Sequence, residues 1–484
     1  MSDSKPNLLF IIPNFFYIED YQKLLYHNDI PLGTLQLSSL LKEKAGVQTD
    51  IIDFRRESEK YNDLDNEFPN KDRFRDAVIN VLEKNKVHEY DNIGINCYTS
   101  FQYLYTDSIA NIIKREYPNK TIIVGGYHPS AVPEDFTYKD SPFDIVVRGE
   151  ADAILLDLFN SKSRITKNSS GTRVLESNNL IDVNILPFPD YELYLERYPF
   201  KNSFKFEMYM SRGCPYQCAF CATNYDFRSY HFNKFKAHFN KLIKITEDYD
   251  KKLKIGFADQ SFNRVSISEK VLQFILENEL HERFDFSCQS RVETVSNKMD
   301  LIRTLRKCGM IVGYGFESAN KLILKEMHKT ESPTKYIKMM EDILKEYKDG
   351  DGPYCRLNIV TGFPGETQES FEETIDFVNT HGIHENIQIS PSLFSNYPNV
   401  FVYKNLKYYE DKFGTEFIKE WWKISSNPLK NSVPRPSKDY SKKQLIGDYK
   451  DKYISILKLF RREIFTDLVV WKSFFNKWHR ELEV

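Results

Sequence analysis

The chain has 484 residues, of which 41% are hydrophobic and 28% charged, the composition of a globular protein rather than of a disordered chain. Its 67 basic and 69 acidic residues nearly cancel, so the overall charge gives no sign of nucleic-acid binding. Seven cysteines are too few, and an odd number, for a disulfide scaffold. A short polar start and the lack of a long apolar run predict a cytoplasmic protein with no transmembrane segment.

Residues 1–160 alternate between short apolar runs and helical patterns and form one predicted domain. Helices are predicted at Leu32–Lys44 and Phe101–Tyr117. Buried strands are predicted at Leu8–Ile12, Gln48–Asp53, Asn92–Asn96, Thr121–Val124 and Asp144–Val147. This alternation indicates an α/β fold with a doubly wound, Rossmann-like parallel sheet. Ligands bind such sheets at the carboxyl ends of the strands, so the loops there are the candidate binding region.

Residues 161–200 are predicted to form a linker or a small surface hairpin, because Lys162–Gly171 is rich in Ser, Lys and Asn and the proline-containing Leu186–Pro189 follows. Strand and helix patterns resume over residues 201–395. Strands are predicted at Phe206–Met210, Lys254–Ala258, Asp285–Gln289, Ile311–Phe316, Arg356–Thr361 and Ile387–Ser390. Six repeats of a β/α unit predict a partial (β/α)6 barrel.

Residues 396–484 lack this alternation and are predicted to form a C-terminal helical cap. From Ser441 onward, apolar residues recur at steps of three and four, as on one face of a helix. They are Ile446, Tyr449, Tyr453, Ile456, Phe460, Ile464, Leu468, Trp471 and Phe475. All four tryptophans, Trp421, Trp422, Trp471 and Trp478, lie in this region. A cap packed on the barrel is the favoured interpretation, and a lid that grips the substrate is the alternative.

Cys214, Cys218 and Cys221 have the spacing C-x3-C-x2-C, just after a predicted strand. Three thiolates within eight residues can hold one soft metal centre. A structural zinc site usually needs a fourth ligand, and the sequence offers no second C-x2-C pair, while His231 and His238 are unsuitably spaced. An iron–sulfur cluster held by three cysteines would leave one iron open to another ligand.

The motif C-x3-C-x-aromatic-C, with Phe220 as the aromatic residue, resembles that of the radical S-adenosylmethionine (SAM) enzymes. The resemblance implies a 4Fe–4S cluster ligated by Cys214, Cys218 and Cys221, with SAM on the fourth iron. It also implies an external electron donor such as flavodoxin or ferredoxin, since an electron transferred into SAM breaks its C–S bond. The resulting 5′-deoxyadenosyl radical takes a hydrogen atom from the substrate.

Later segments resemble further motifs of this family. Gly315–Ser318 resembles the strand-four motif, which implies that Glu317 and Ser318 face SAM. Gly362–Thr367 resembles the strand-five motif along the adenine, with Gly362, Pro364 and Gly365 as the implied contacts. Arg291, in a segment that resembles strand three, could pair with the SAM carboxylate or be a surface residue at a strand end. Asp259 is carried forward alone, because Asp259-Gln260 departs from the usual acidic pair.

The first domain resembles the cobalamin-binding domain that often precedes a radical SAM barrel, in Pro31–Leu35, Asp50–Asp53 and Gly125–Glu134. The resemblance makes Cys97, Gly125, Gly126 and His128 candidate cofactor-binding residues, with the two glycines letting the corrin approach the backbone. For Cys97, packing in the core or the loop is the favoured role. No D-x-H-x-x-G motif occurs, so a histidine ligand to cobalt is not predicted. For His128 we expect a role in structuring the turn.

Strand alternation groups Cys355 with Leu357 and Ile359, and Arg356 with Asn358. We expect Arg356 and Asn358 to point into the barrel; if Cys355 pointed inward instead, it could be a catalytic hydrogen-atom donor.

The leading hypothesis is a cobalamin-dependent radical SAM enzyme that methylates an unactivated carbon of a small-molecule or peptide substrate. One alternative is a radical SAM epimerase, cyclase or rearrangement enzyme with a vestigial cobalamin domain. A zinc-binding interaction module without catalysis is another. No nucleic-acid partner is predicted.

Overall fold

A computed structural model of the chain describes residues 6–15, 29–58, 71–161, 171–177, 179–199, 205–223, 226–249, 251–295, 298–424 and 428–457. These residues divide between two compact units. Unit 1 contains the described residues within 1–18, 30–201 and 420–428, and unit 2 contains those within 19–29, 202–419 and 429–484. Each unit is built on a six-stranded parallel sheet.

The sheet of unit 1 has the order β2-β1-β3-β4-β5-β6. Its strands are β1 Asn7–Ile12, β2 Gln48–Asp53, β3 Asn92–Asn96, β4 Thr121–Gly125, β5 Ile145–Arg148 and β6 Arg173–Glu176. Its helices are α1 Leu32–Ala45, α2 Phe54–Glu57, α3 Lys71–Lys84, α4 Tyr103–Glu116, α5 Tyr127–Ala131, α6 Ala151–Asn160 and α7 Tyr191–Arg197. The strand order reverses direction between β1 and β3, which is where doubly wound sheets bind ligands. The predicted Rossmann-like fold is confirmed.

Residues 171–199 belong to unit 1, so the prediction that 161–200 is a linker is wrong for them. Strand β6 pairs with β5 along the whole of its short length. Helix α7 is fixed to the sheet because Tyr194 Oη donates to the buried carboxylate of Asp53 (2.8 Å) and Tyr198 Oη accepts from Asp53 N (2.8 Å). A four-residue edge strand with every side chain partly exposed carries too little apolar signal to predict.

The sheet of unit 2 has the order β14-β13-β12-β11-β10-β7. The strands of unit 2 are β7 Lys205–Met208, β8 Ser211–Arg212, β9 Arg228–Ser229, β10 Leu253–Phe257, β11 Phe284–Arg291, β12 Met310–Glu317, β13 Cys355–Thr361 and β14 Ile387–Leu393. The helices of unit 2 before β14 are α8 Phe232–Ile245, α9 Ser268–Glu277, α10 Leu280–Arg283, α11 Met299–Lys307, α12 Lys321–Glu326, α13 Pro333–Asp349 and α14 Gln368–Phe377. The predicted six β/α units are confirmed, and β8 and β9 form a small antiparallel pair of their own.

Beyond β14 the described chain is largely helical, in α15 Phe401–Lys404, α16 Leu406–Phe413, α17 Pro428–Ser432 and α18 Lys442–Leu457. The predicted apolar stripe is confirmed on α18, where Ile446, Tyr449, Tyr453 and Ile456 are buried. The rest of the stripe, with Trp471 and Trp478, lies outside the described residues. Among the described helices none is long and apolar enough to span a membrane.

Candidate functional site

The cysteine motif lies in one loop of unit 2, between β8 and β9. Its three thiols are free and half-buried; they belong to Cys214, Cys218 and Cys221. The loop backbone is held from two directions, because Ala219 N donates to the Met327 carbonyl (2.9 Å) and the Ala219 carbonyl accepts from Val402 N (3.2 Å). The fold therefore fixes the loop and leaves its thiols accessible.

An apolar cluster supports this loop. Its buried members are Ala219, Ile323, Met327, Phe363, Phe394, Val400, Val402 and Tyr409. Phe220, the aromatic residue of the motif, packs against the cluster, and its ring centroid lies 5.8 Å from Lys329 Nζ. The chain after β14 is thus part of the scaffold of the cysteine loop.

Two cations lie beside the loop. Arg291 Nη1 donates to the Cys218 sulfur (3.1 Å), and its guanidinium lies 4.0 Å from the ring centroid of Tyr216. Burial raises the pKa of the Cys218 thiol, while the positive charges of Lys329 and Arg291 act in the opposite direction. Positive charge at this position suits a cluster bound by three thiolates.

Arg291 is buried at the end of β11, so the alternative of a surface arginine is wrong. Its Nη2 donates to Glu293 (2.8 Å) and to the Lys329 carbonyl. Its Nε has no hydrogen-bond partner in the described part of the chain. A buried N–H without a partner costs free energy, and a carboxylate ligand would remove that cost. Arg291 therefore fits its predicted role toward the SAM carboxylate.

Glu317, at the end of β12, has a φ of +75°, which a non-glycine residue adopts only under local constraint. Its Oε1 accepts from Lys329 Nζ (2.9 Å), and both side chains are buried. The sequence analysis missed Lys329, because a lone lysine after a short helix carries no pattern. Ser318 does not share this site: its hydroxyl accepts from Asn320 N (3.1 Å) and lies 3.2 Å from Thr374 Oγ1. Ser318 therefore has a structural role in the turn after β12.

The turn that contains Gly362, Pro364 and Gly365 is fully buried. Both glycines have positive φ, +81° and +93°. A Cβ at Gly362 would lie 2.8 Å from Leu445 Cδ2, and one at Gly365 would lie 3.0 Å from the ring of Phe413. The space that we expected to admit SAM is therefore filled, on this side of the backbone, by the protein's own C-terminal side chains.

Glu366→Gln is expected to flatten the pH dependence of stability. Burial raises the pKa of Glu366 to about 8, and Gly362 N donates to its carboxylate. A carboxyl pKa raised in the folded state gives stability that is present at low pH and is lost as pH rises through the folded pKa. Wild type should therefore lose roughly 2 kcal/mol between pH 6 and pH 8 through this group.

Thermal midpoints of wild type and Glu366→Gln, measured anaerobically at both pH values, test this expectation. Glu369→Gln, at an exposed position in the first turn of α14, is the matched control. An equal pH dependence in wild type and Glu366→Gln contradicts the prediction.

Asp259 binds the chain that leads into the cysteine loop. Its buried carboxylate accepts from Met210 N (3.0 Å) and from the Ser211 hydroxyl (2.5 Å), and burial raises its pKa to about 7. Asp259 therefore positions the chain that enters the cysteine loop.

In unit 1 the loops after β3 and β4 are tied together. Gly126 has a φ of +117°, and a Cβ there would lie 2.4 Å from the Cys97 carbonyl oxygen. Cys97 N donates to the Gly125 carbonyl (2.8 Å). The glycine at 126 therefore admits the backbone of Cys97, where we expected it to admit the corrin. Cys97 itself is fully buried, which raises the pKa of its thiol to about 12.

His128 is enclosed and has a partner on each ring nitrogen. Nδ1 lies 2.8 Å from Ser100 Oγ, and Nε2 lies 3.2 Å from Asp135 Oδ2. Burial lowers the pKa of His128. The same carboxylate of Asp135 accepts from Trp422 Nε1 (2.6 Å) and Lys423 Nζ (2.6 Å). His128 therefore has no free nitrogen for cobalt, in line with the expected role in the turn.

Open space and exposed aromatic surface adjoin these loops. Gly149, just after β5, has a φ of +86° and no other atom within 4 Å of a Cβ built there. Tyr98 is 56% exposed and meets Tyr127 edge to face, with ring centroids 5.1 Å apart. Gly125 has only Val147 atoms near its Cβ position, at 3.6 Å or more. This edge of the sheet therefore leaves open space beside Gly149 and exposes the ring of Tyr98.

Comparison with known families decides the assignment. A model described as the radical SAM superfamily matches residues 208–378, and one described as a B12 binding domain matches residues 26–159. The chain carries a radical SAM domain and a B12-binding domain in one polypeptide. The cofactors of such a radical SAM enzyme are SAM, a 4Fe–4S cluster and cobalamin, as the sequence analysis predicted. Its cluster would be held by Cys214, Cys218 and Cys221.

Curated relatives of this radical SAM enzyme include methyltransferases and a cyclase. An uncharacterized methyltransferase of Pyrococcus horikoshii is 28% identical, covering 72% of each chain. Bacteriochlorophyllide d C-12(1)-methyltransferase of Chlorobaculum tepidum is 22% identical, covering 60% of each. Anaerobic magnesium-protoporphyrin IX monomethyl ester cyclase of Cereibacter sphaeroides is 21% identical, covering 62% of this chain and 52% of the cyclase. The chain thus spans about half to three quarters of these relatives' lengths.

Among solved structures, the cobalamin-dependent SAM radical enzyme OxsB in its apo form matches 93% of this chain and 67% of its own, with a TM-score of 0.63 and 15% identity. At that identity the match supports the radical SAM fold alone. Within the described ranges, no three Cys, His, Asp or Glu side chains come close enough to hold one metal ion. Thiolates of an iron–sulfur cluster bind separate irons and need not converge on one point.

Proposed function

We propose that this enzyme transfers a methyl group from cobalamin to an unactivated carbon of its substrate. The observation that carries the proposal is one chain that combines a cysteine loop flanked by Arg291 and Lys329 with a cobalamin-type sheet. When bound, the cluster and SAM supply the chemistry for hydrogen-atom removal, and cobalamin supplies a transferable methyl group.

The residues of unit 2 prepare the site for SAM and the cluster. Cys214, Cys218 and Cys221 hold the cluster, and Asp259 fixes the chain that enters their loop. Arg291 offers its Nε–H to a ligand carboxylate. Lys329 keeps Glu317 paired and oriented at the end of β12. Because the side chains of Asp259, Arg291, Glu317 and Lys329 are buried and hydrogen-bonded, this part of the site is organised before ligands arrive.

In unit 1 we assign contact with the corrin to Tyr98 and Tyr127, beside the open position at Gly149. An aromatic pair at the carboxyl edge of a sheet offers apolar surface to a macrocycle. Since His128 is occupied on both nitrogens, cobalt would receive no imidazole from it. The reducing electron comes from an external donor such as flavodoxin or ferredoxin.

The test is anaerobic reconstitution of the full chain with iron, sulfide and hydroxocobalamin. We expect about four irons per chain, a bound corrin spectrum, and SAM cleavage to 5′-deoxyadenosine under dithionite. With substrate, product mass should increase by one methylene unit. Retained iron without any bound corrin would overturn the methylation proposal.

The second candidate is a cyclase or rearrangement enzyme, which the cyclase relative favours. A product of unchanged carbon count would support it. Cys355 does not strengthen this candidate, because its thiol is fully buried on the same strand face as Leu357 and Ile359, while Arg356 and Asn358 are half-buried on the opposite face. A hydrogen donor for a substrate inside the barrel needs the opposite orientation, so we do not propose Cys355 as catalytic.

Trp422→Phe is expected to weaken cobalamin binding several-fold. The change keeps an aromatic ring but removes the N–H that donates to Asp135, the carboxylate that holds His128 in the loop after β4. Loss of a buried hydrogen bond to a charged group costs about 1.5–3 kcal/mol. Titration of hydroxocobalamin followed by absorbance measures the affinity.

Tyr138→Phe is the matched control, since it also removes one hydrogen bond to an aspartate, from Tyr138 Oη to Asp107 (2.7 Å), at a surface position. Equal affinities in wild type and Trp422→Phe would show that the Asp135 network does not set the loop for cobalamin.

A further inference from the structure

The inward face of the unit 2 barrel carries a row of polar side chains below the level of the cysteine loop. In the register of the sheet, Gln289 on β11 pairs with Gly313 on β12, Gly313 with Arg356 on β13, and Arg356 with Gln388 on β14. Side chains at matched positions of a parallel sheet point to the same face. The row therefore combines two amides and a guanidinium around a glycine.

Gly313 has no side chain, and this leaves space for the side chain of its neighbour in the row, Gln289. A Cβ at position 313 would lie 2.5 Å from Gln289 Oε1, so Gln289 crosses over the glycine. On the far side it accepts from Asn358 Nδ2 (2.8 Å). Gln289 is exposed and Asn358 is half-buried, so neither amide belongs to a packed core. Polar groups with spare hydrogen-bonding capacity on the inward face are suited to a polar ligand.

Arg356 gives this row its charge. Its Nε donates to Gln388 Oε1 (3.1 Å) and its Nη2 lies 3.5 Å from Tyr354 Oη, and both partners are neutral. It forms no ion pair with any carboxylate among the described residues. A half-buried guanidinium with neutral neighbours favours an anionic partner, and its planar fork matches a carboxylate or a phosphate.

We propose that the barrel interior binds a polar substrate through an oxyanion, a carboxylate or a phosphate, held by Arg356. Hydroxyl or amide groups of the same molecule form hydrogen bonds with Gln289, Asn358 and Gln388. This proposal rests on the proposed function, because it assigns the substrate of that reaction to the barrel interior. It makes Arg356 a specificity-determining residue and describes a substrate that is not wholly apolar.

The experiment measures the thermal midpoint of the reconstituted full-length enzyme with saturating SAM, as sodium phosphate, sodium acetate or glucose is added at constant ionic strength. Saturation with SAM prevents the anions from occupying the SAM carboxylate position. One of the two anions, phosphate or acetate, resembles the oxyanion of the substrate. We expect that anion to raise the thermal midpoint of wild type, and the rise should grow with the fraction of sites that it occupies. The Arg356→Gln variant should lose this shift, with an apparent affinity about tenfold weaker, because a charge-assisted hydrogen bond is lost.

Two further variants keep the test falsifiable. Arg356→Lys retains the charge and should retain part of the shift, which an effect of misfolding would not restore. Arg303→Gln removes an exposed arginine paired with Glu346 (2.7 Å) and should behave as wild type. Equal shifts in wild type and Arg356→Gln, or no shift with either anion, overturn the proposal. Failure of the proposed function is read separately, from the absence of 5′-deoxyadenosine or of bound corrin in wild type.

Discussion

Replacing Cys218 by alanine is expected to reduce the iron content of the reconstituted enzyme from about four per chain to nearly none. Cys218 lies at the centre of the motif, and its sulfur accepts from Arg291. Two remaining thiolates leave two irons without protein ligands, so the cluster is lost rather than loosened. Formation of 5′-deoxyadenosine from SAM should fall to background with it. Quantification of iron and of 5′-deoxyadenosine in wild type and Cys218→Ala tests this expectation.

The matched control is Cys308→Ala, the same substitution at a cysteine far from the motif in sequence. Cys308 directly follows the last residue of α11. Its thiol is buried and lies 3.5 Å from the Leu272 carbonyl on α9. Its loss should cost about 1 kcal/mol and leave iron content unchanged. If both variants lose iron equally, the loss in Cys218→Ala reflects folding and the ligand assignment is wrong.

Most strands of both sheets could be predicted, because parallel strands that are covered on both faces consist of continuous apolar residues. Leu8–Ile12 is an example, and the structure places it inside the sheet of unit 1, between β2 and β3. Strand β6 could not be predicted, since it is an edge strand with alternating half-exposed residues. Trp421 and Trp422 were expected in a C-terminal cap, but they are buried in unit 1, where Trp421 packs against Phe101. These residues are distant in sequence, so no local pattern could predict their contact.

For the site, sequence motifs identified the candidate loops but not the contacts that each residue makes. Glycines at 126, 362 and 365 look alike in sequence whether a ligand or the protein itself fills the space beside them. The three-dimensional partners decide: Cys97, Leu445 and Phe413 respectively. Lys329 carries no motif, and only its pairing with Glu317 across the end of β12 identifies it.

Replacing Lys329 by methionine is expected to destabilise unit 2 by about 3–5 kcal/mol, because it leaves the buried carboxylate of Glu317 without its partner. The double variant Lys329→Met/Glu317→Gln should recover most of this loss, since neither a charge nor an unpaired carboxylate is then buried. Thermal or denaturant unfolding of wild type, the two single variants and the double variant gives the coupling energy between the residues.

The double variant also separates a structural role from an electrostatic one. The positive charge of Lys329 lowers the pKa of the Cys218 thiol more than the negative charge of Glu317 raises it, so the pair together should stabilise the more negative, reduced state of a cluster bound there. We therefore expect the cluster of the double variant to have a more negative reduction potential than wild type even where stability is recovered. Potentiometric titration followed by electron paramagnetic resonance measures it. Lys412→Met, which removes an exposed lysine from Glu326 (2.8 Å), should leave the potential unchanged. A potential in the double variant equal to that of wild type would limit Lys329 to holding Glu317 in place.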